Sequence, residues 1–164
     1  MTDLPDIEIG RCAVRTFNLV DERYCDLDDE QVVPFSGRIL TSVYRPGGQW
    51  LTGACVARCG KGHAHEAPAE GCGCGIYGAL SLKTLSAQFP SQASRLVAVI
   101  AAEGPTIIGD LGLRTHAARV VAYWCTPNAR IERHQCATQF LGAEEFAELT
   151  AMLETYGIPV EPEK

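Results

Sequence analysis

The sequence predicts an α+β fold: an antiparallel-rich sheet with two helices and a metal-stapled loop. Three observations predict it. Short β-branched or apolar runs separated by Gly and Pro turn signals recur along the chain, as strands do. Two stretches, Tyr77–Phe89 and Ala143–Tyr156, carry apolar residues at helical spacing. Between the early and late strands lies Cys55 to Gly75, CVARCGKGHAHEAPAEGCGCG, which is dense in metal-ligand residue types and nearly devoid of large apolar ones.

In chain order, residues 7–17 read as a strand in which Ile9 and Val14 are β-branched and Gly10 marks a bulge. An acidic loop, Asp21 to Glu30, follows, and Gln31 to Pro34 is at most an edge piece because Pro34 cannot donate to a ladder. Residues 37–44 and 50–57 are strands flanking the turn signal Pro46-Gly47-Gly48, so a hairpin is expected, with Cys55 near a strand end. After the ligand-rich loop comes the first helix, Tyr77–Phe89, closed by Pro90. Residues 95–103 are continuously apolar and read as a strand buried on both faces. Gly104-Pro105 should break it before a further segment at 106–111. Residues 116–125 form the last strand, with Ala118, Val120, Ala122 and Trp124 on one face. The second helix puts Phe146, Leu149, Met152, Leu153 and Tyr156 on one stripe and stops at Gly157.

Length and composition set bounds. At 164 residues, 46% hydrophobic and 21% charged, the chain is expected to be one domain with a real core. No apolar run approaches the roughly 20 residues of a membrane helix, and the N-terminus lacks a signal-peptide pattern, so cytoplasmic residence is the expectation. Eight cysteines in a reducing compartment argue for thiols and a metal rather than a disulfide framework. Cys12, Cys25, Cys125 and Cys136 are scattered and read as small buried hydrophobes. A net charge of −6 without any Lys/Arg cluster argues against bulk nucleic-acid binding.

The loop itself suggests a ligand set. Cys72 and Cys74 are flanked by Gly71, Gly73 and Gly75, which let the backbone curl so that both sulfurs face one ion. With Cys55 and His65 they make a Cys3His tetrahedron, the arrangement of a structural zinc site, with Cys59 and His63 as substitutes. An iron–sulfur cluster is a weaker alternative, since no recognised cluster spacing is present. If only three residues bind, Glu66 or Glu70 could act as base on a zinc-bound water. Gly73 to Gly78 matches G-x-G-x-x-G literally but follows a Pro-containing loop instead of a strand, which argues against a dinucleotide site. The zinc-deaminase and metalloprotease patterns fail on spacing, and no spacing supports a nucleophile pair of Cys125 or Cys136 with His116 or His134.

Several of these residues also carry a resemblance. Ala54-Cys55, His65-Glu66-Ala67-Pro68 and Cys72-Gly73-Cys74-Gly75-Ile76-Tyr77, with Tyr44-Arg45-Pro46, the Gly112–Trp124 region and Tyr156 to Val160, resemble a group of uncharacterised proteins from actinobacteria and their phages. The resemblance spans most of the chain and implies the ligand quartet Cys55, His65, Cys72 and Cys74, but no activity. The chain departs from that pattern in its extra Cys59 and His63, and in Gly78, where a small alanine is commoner. A ligand-rich loop without a complete catalytic set points to a non-enzymatic zinc protein that contacts a protein partner. A zinc-dependent hydrolase and a nucleic-acid-binding regulator are the competing expectations.

Overall fold

The computed structural model describes residues 11–21, 38–41, 50, 54–57, 59, 65–127 and 143–162. Its strands are β1 (Cys12–Arg15), β2 (Asn18–Asp21), β3 (Arg38–Thr41), β4 (Ala54–Val56), β5 (Ile76–Ala79), β6 (Leu96–Ile108), β7 (Gly112–Cys125) and β8 (Glu144–Glu145). The helices are α1 (Leu82–Gln88), α2 (Pro90–Ala93) and α3 (Leu149–Thr155). The α+β expectation holds, with three short helices among the described residues where two were expected.

Six strands form one sheet in the order β4-β7-β5-β1-β6, with β8 added on β7. Because β6 also pairs with β7, the strands β5, β7, β6 and β1 close into a ring. All its pairings are antiparallel except that of β8. Strands β2 and β3 form a separate antiparallel ribbon. Among the described residues β3 pairs with β2 and β4 pairs with β7, so these two strands do not pair with each other as the expected hairpin would have them. The acidic stretch beyond Asp21, the Pro46 turn, His63, Cys25, His134 and Cys136 lie outside the described residues.

The β6–β7 hairpin is the spine. Leu96 to Ala102 is buried without interruption, as a strand covered on both faces must be. Leu96, Ala98, Ile100 and Ala102 enter one core cluster with Trp50 and Phe17, while Val97 and Val99 enter a second with Met152 and Leu153. Phe17 meets Trp50 edge-on, ring centroids 4.9 Å apart. Two bulges bend the hairpin. At the first, Val99 pairs with Ala122 and Ile100 with Val120, so Val121 is the extra residue. An extra residue reverses the inward–outward alternation. Ala118 and Val120 therefore join the Trp50 cluster, whereas Ala122 and Trp124 pack on the other, and the expected common face is split. The second bulge falls between Glu103 and Thr106, where Gly104 takes φ +76°. Gly104-Pro105 thus bends β6 without ending it.

Two helix expectations shrink for local reasons. Ile76 to Ala79 is strand β5, drawn into the sheet between β1 and β7. The helix begins only after Ser81, whose Oγ accepts from the Thr84 N–H as an N-cap. Pro90 does not seal the helical region; it opens α2 at the first turn, where its missing N–H costs nothing. Likewise Glu144 and Glu145 pair with Ala122 and Tyr123, so they do not sit at a helix N-terminus, and α3 is confined to Leu149–Thr155. Met152 and Leu153 are its buried residues, and Gly157 ends it at φ +68°.

Gly78 lets β5 approach its neighbours. A Cβ there would lie 2.6 Å from the Cβ of Ala13, and one at Gly112 would lie 2.8 Å from the Gly78 carbonyl oxygen. This close seating sets β5, and the loop that leads into it, tightly against β7. Among the described residues no helix is long and apolar enough to cross a membrane.

Candidate metal centre

The segment entering β5 has little apolar mass of its own, so its shape comes from turns and polar ties. Cys72 N–H donates to the Ala69 carbonyl (3.2 Å), and Gly71 and Gly75 take φ of +78° and +127°. The Ala67–Pro68 peptide is cis. From β7, His116 Nδ1–H donates to the Ala67 carbonyl (2.9 Å). Arg114 Nη1 donates to the carbonyls of Ala69 (3.0 Å) and Cys74 (2.9 Å) and to that of Cys72. The Tyr77 hydroxyl donates to the Gly73 carbonyl. Three side chains of β5 and β7 thus hold the loop by its backbone oxygens, leaving its side chains to converge.

They converge on one point. The sulfurs of Cys59, Cys72 and Cys74 and a ring nitrogen of His65 all lie within 4.8 Å of one another. Cys59 Sγ is 3.7 Å from Cys72 Sγ, and His65 Nε2 is 3.3 Å from Cys74 Sγ. A tetrahedral ion bonded to sulfur at about 2.3 Å and to nitrogen at about 2.0–2.1 Å holds sulfurs about 3.8 Å apart and a sulfur–nitrogen pair about 3.5 Å apart. The Cys59–Cys72 and His65–Cys74 spacings fit that figure. Cys74 is buried, Cys59 and Cys72 are half-buried, and His65 is exposed. Burial raises the Cys74 thiol above its ordinary pKa; a hydrogen bond from Ala69 lowers it, and the neighbouring Cys72 and Cys59 raise it again. Crowded thiols of this kind gain from a cation that lets them ionise together. Glu66 and Glu70 are exposed and stand outside the group.

The structure therefore brings His65, Cys72 and Cys74 together with Cys59, the substitute named above, and leaves Cys55 outside the group. Cys55 sits in β4 opposite Ala118 and packs against the Trp50 cluster. The strand pleat turns its side chain inward while Ala54 and Val56 face out. Its thiol lies 3.8 Å from the Val56 carbonyl oxygen. Burial raises its pKa, and the Arg15 guanidinium and the Val56 contact lower it. Arg15 is itself held at about 10 by burial, which the nearby Cys55 opposes. Its guanidinium carbon stands 5.3 Å from the ring centroids of both Phe17 and Trp50, and Nη1 donates to the Tyr77 carbonyl (2.6 Å). The signal for Cys59 was available in the strand reading: a cysteine at an inward position of β4 belongs to the core, and the next cysteine beyond the strand is the one able to reach the loop.

The G-x-G-x-x-G stretch runs into β5 and opens no helix, so it builds no phosphate cradle. The fold and this cluster define a small α+β protein with a group of Cys3His composition able to hold a metal ion. No protein-family model, curated protein or solved structure matches the chain.

Proposed function

We propose that this is a zinc-binding, non-enzymatic interaction protein, in which zinc held by Cys59, His65, Cys72 and Cys74 fixes the loop as part of a surface presented to a protein partner. The observation that carries this reading is the convergence of four donor atoms within 4.8 Å of one another, with no carboxylate among them. Four protein donors close a tetrahedral shell, which suits a structural ion, whereas a catalytic zinc keeps a position for water. Three soft sulfurs with one imidazole favour zinc over magnesium or calcium. An ion here would join a loop of low apolar content to β5 and β7 and would supply order that the core does not.

The test is metal analysis by mass spectrometry together with X-ray absorption at the zinc edge. The expected result is one zinc per chain, surrounded by three sulfurs and one nitrogen. An oxygen in the first shell would overturn the closed-site reading in favour of a hydrolytic centre, and a protein purified without metal would overturn it altogether.

A further inference from the structure

Beside the candidate metal loop runs an open groove of about 1190 Å³, walled by β1, β5, α1 and the tip of the β6–β7 hairpin. We infer that this groove is the docking site for an extended segment of the protein partner in which carboxylate side chains adjoin apolar ones. The inference rests on the interaction-protein reading above and names the surface and the chemistry it recognises.

The walls are mainly apolar, with Val14, Leu85, Phe89 and Leu113 among them. Tyr77 and Leu111, also in the walls, are 53% and 55% exposed and add accessible apolar surface to the groove. The charge of the lining is one-sided. Among the described residues Arg15, Lys83 and Arg114 line the groove and no aspartate or glutamate does, although the whole chain carries a net charge of −6. Lys83 is matched by Glu161 at 3.0 Å. Among the described residues Arg114 has no such match. Its three bonds to the loop all leave from Nη1, while Nε and Nη2 bond to nothing among the described residues. Those two nitrogens form the side-on edge with which a guanidinium grips a carboxylate through two parallel bonds.

The same contacts link this edge to the metal loop. Arg114 is oriented by carbonyls of Ala69, Cys72 and Cys74, two of them ligand residues of the proposed ion. The groove is larger than the roughly 300–1,000 Å³ of small-molecule pockets and is open along one side. That shape suits a length of polypeptide better than a compact metabolite.

The test uses full-length protein and a fluorescein-labelled library of C-terminally amidated octapeptides mixing Leu and Phe with Asp and Glu. A matched library carries Asn and Gln instead, and sodium dodecanoate serves as a small amphiphilic carboxylate. Fluorescence anisotropy reads binding, and metal content is measured on the same samples. The expected result is binding of the acidic library only, weakened by salt and reduced at least about tenfold by Ala87→Glu, which sets a like charge in the groove wall without touching the loop. Arg114→Lys keeps the charge, loses the fork, and should weaken binding to a similar extent. Equal binding of both libraries, binding by neither, or indifference to Ala87→Glu would overturn the inference. So would tighter binding of dodecanoate than of any peptide, which would make the groove a small-ligand site. Full zinc occupancy without peptide binding sinks the groove assignment and leaves the zinc reading intact, whereas loss of the zinc reading shows in the metal content itself.

Discussion

Replacing Cys59 or Cys55 by serine separates the two possible quartets. Cys59 Sγ lies 3.7 Å from Cys72 Sγ, within the span of one ion, whereas Cys55 sits inward on β4. Losing even an outer-shell partner of a metal ligand costs about 10–100-fold in affinity, so a lost ligand should cost at least about 100-fold. With free zinc buffered above saturation, a 100-fold loss is about 2.7 kcal/mol of linked stability. At about 2–4 °C per kcal/mol for a chain of this size, the Tm of Cys59→Ser should fall by roughly 5–11 °C. In excess chelator the difference between Cys59→Ser and wild type should nearly vanish, because the ion no longer contributes. Cys55→Ser should keep one zinc per chain, and any Tm change should be the same with and without chelator. Differential scanning calorimetry in zinc-buffered and chelated samples, with metal content measured alongside, makes the comparison. Loss of zinc in Cys55→Ser with retention in Cys59→Ser would refute the assignment.

Three further outcomes are expected. Gly78→Ala places a Cβ 2.6 Å from that of Ala13 and 3.3 Å from Ile100 Cδ1 and should destabilise by about 1–3 kcal/mol, read as a lower urea midpoint; an unchanged midpoint would mean β5 can shift freely. Arg114→Met removes the donor to three loop carbonyls and should speed zinc transfer to a chromogenic chelator by at least several-fold, while unchanged transfer would mean the loop holds its shape unaided. The Cys55 thiol has a raised pKa in the fold, mainly through burial, so its contribution is fully present below the unfolded thiol value of about 8.5 and is lost as pH rises through the folded value. Stability should therefore decline on the alkaline side, and Cys55→Ser should make that decline shallower; an identical slope would count against the buried thiol as a cause.

The parts of the fold legible in the sequence were those with strong local patterning. The unbroken apolar run from Leu96 reads as a doubly covered strand because nothing polar interrupts it, and it is one. The ligand-rich loop was legible because cysteine, histidine and glycine at that density have few other uses. What was not legible depended on partners distant in sequence. Tyr77 to Ala79 has helix-compatible spacing, but β1 and β7 offer it ladders on both sides, and Ser81 provides a later helix start. Glu144 and Glu145 suit a helix N-terminus electrostatically, yet the edge of β7 takes them as a strand. The bulge at Val121 reverses a face pattern with no glycine or proline to announce it. A strand end makes Cys55 a rigid platform for a ligand. The pleat decides which way that platform faces, and here it faces the core.

The ring of β5, β7, β6 and β1 also constrains the order in which the chain can assemble as it leaves the ribosome. β1 needs β6, whose paired residues lie 83–89 positions further on, and β4 needs β7, so both early strands must wait for late ones. Cys59, His65, Cys72 and Cys74 span a short stretch, and bringing their ends together costs far less chain entropy than any of those long-range pairings. An ion captured there during synthesis would give the nascent chain a fixed knot beside β5 before the hairpin that completes the sheet has been made.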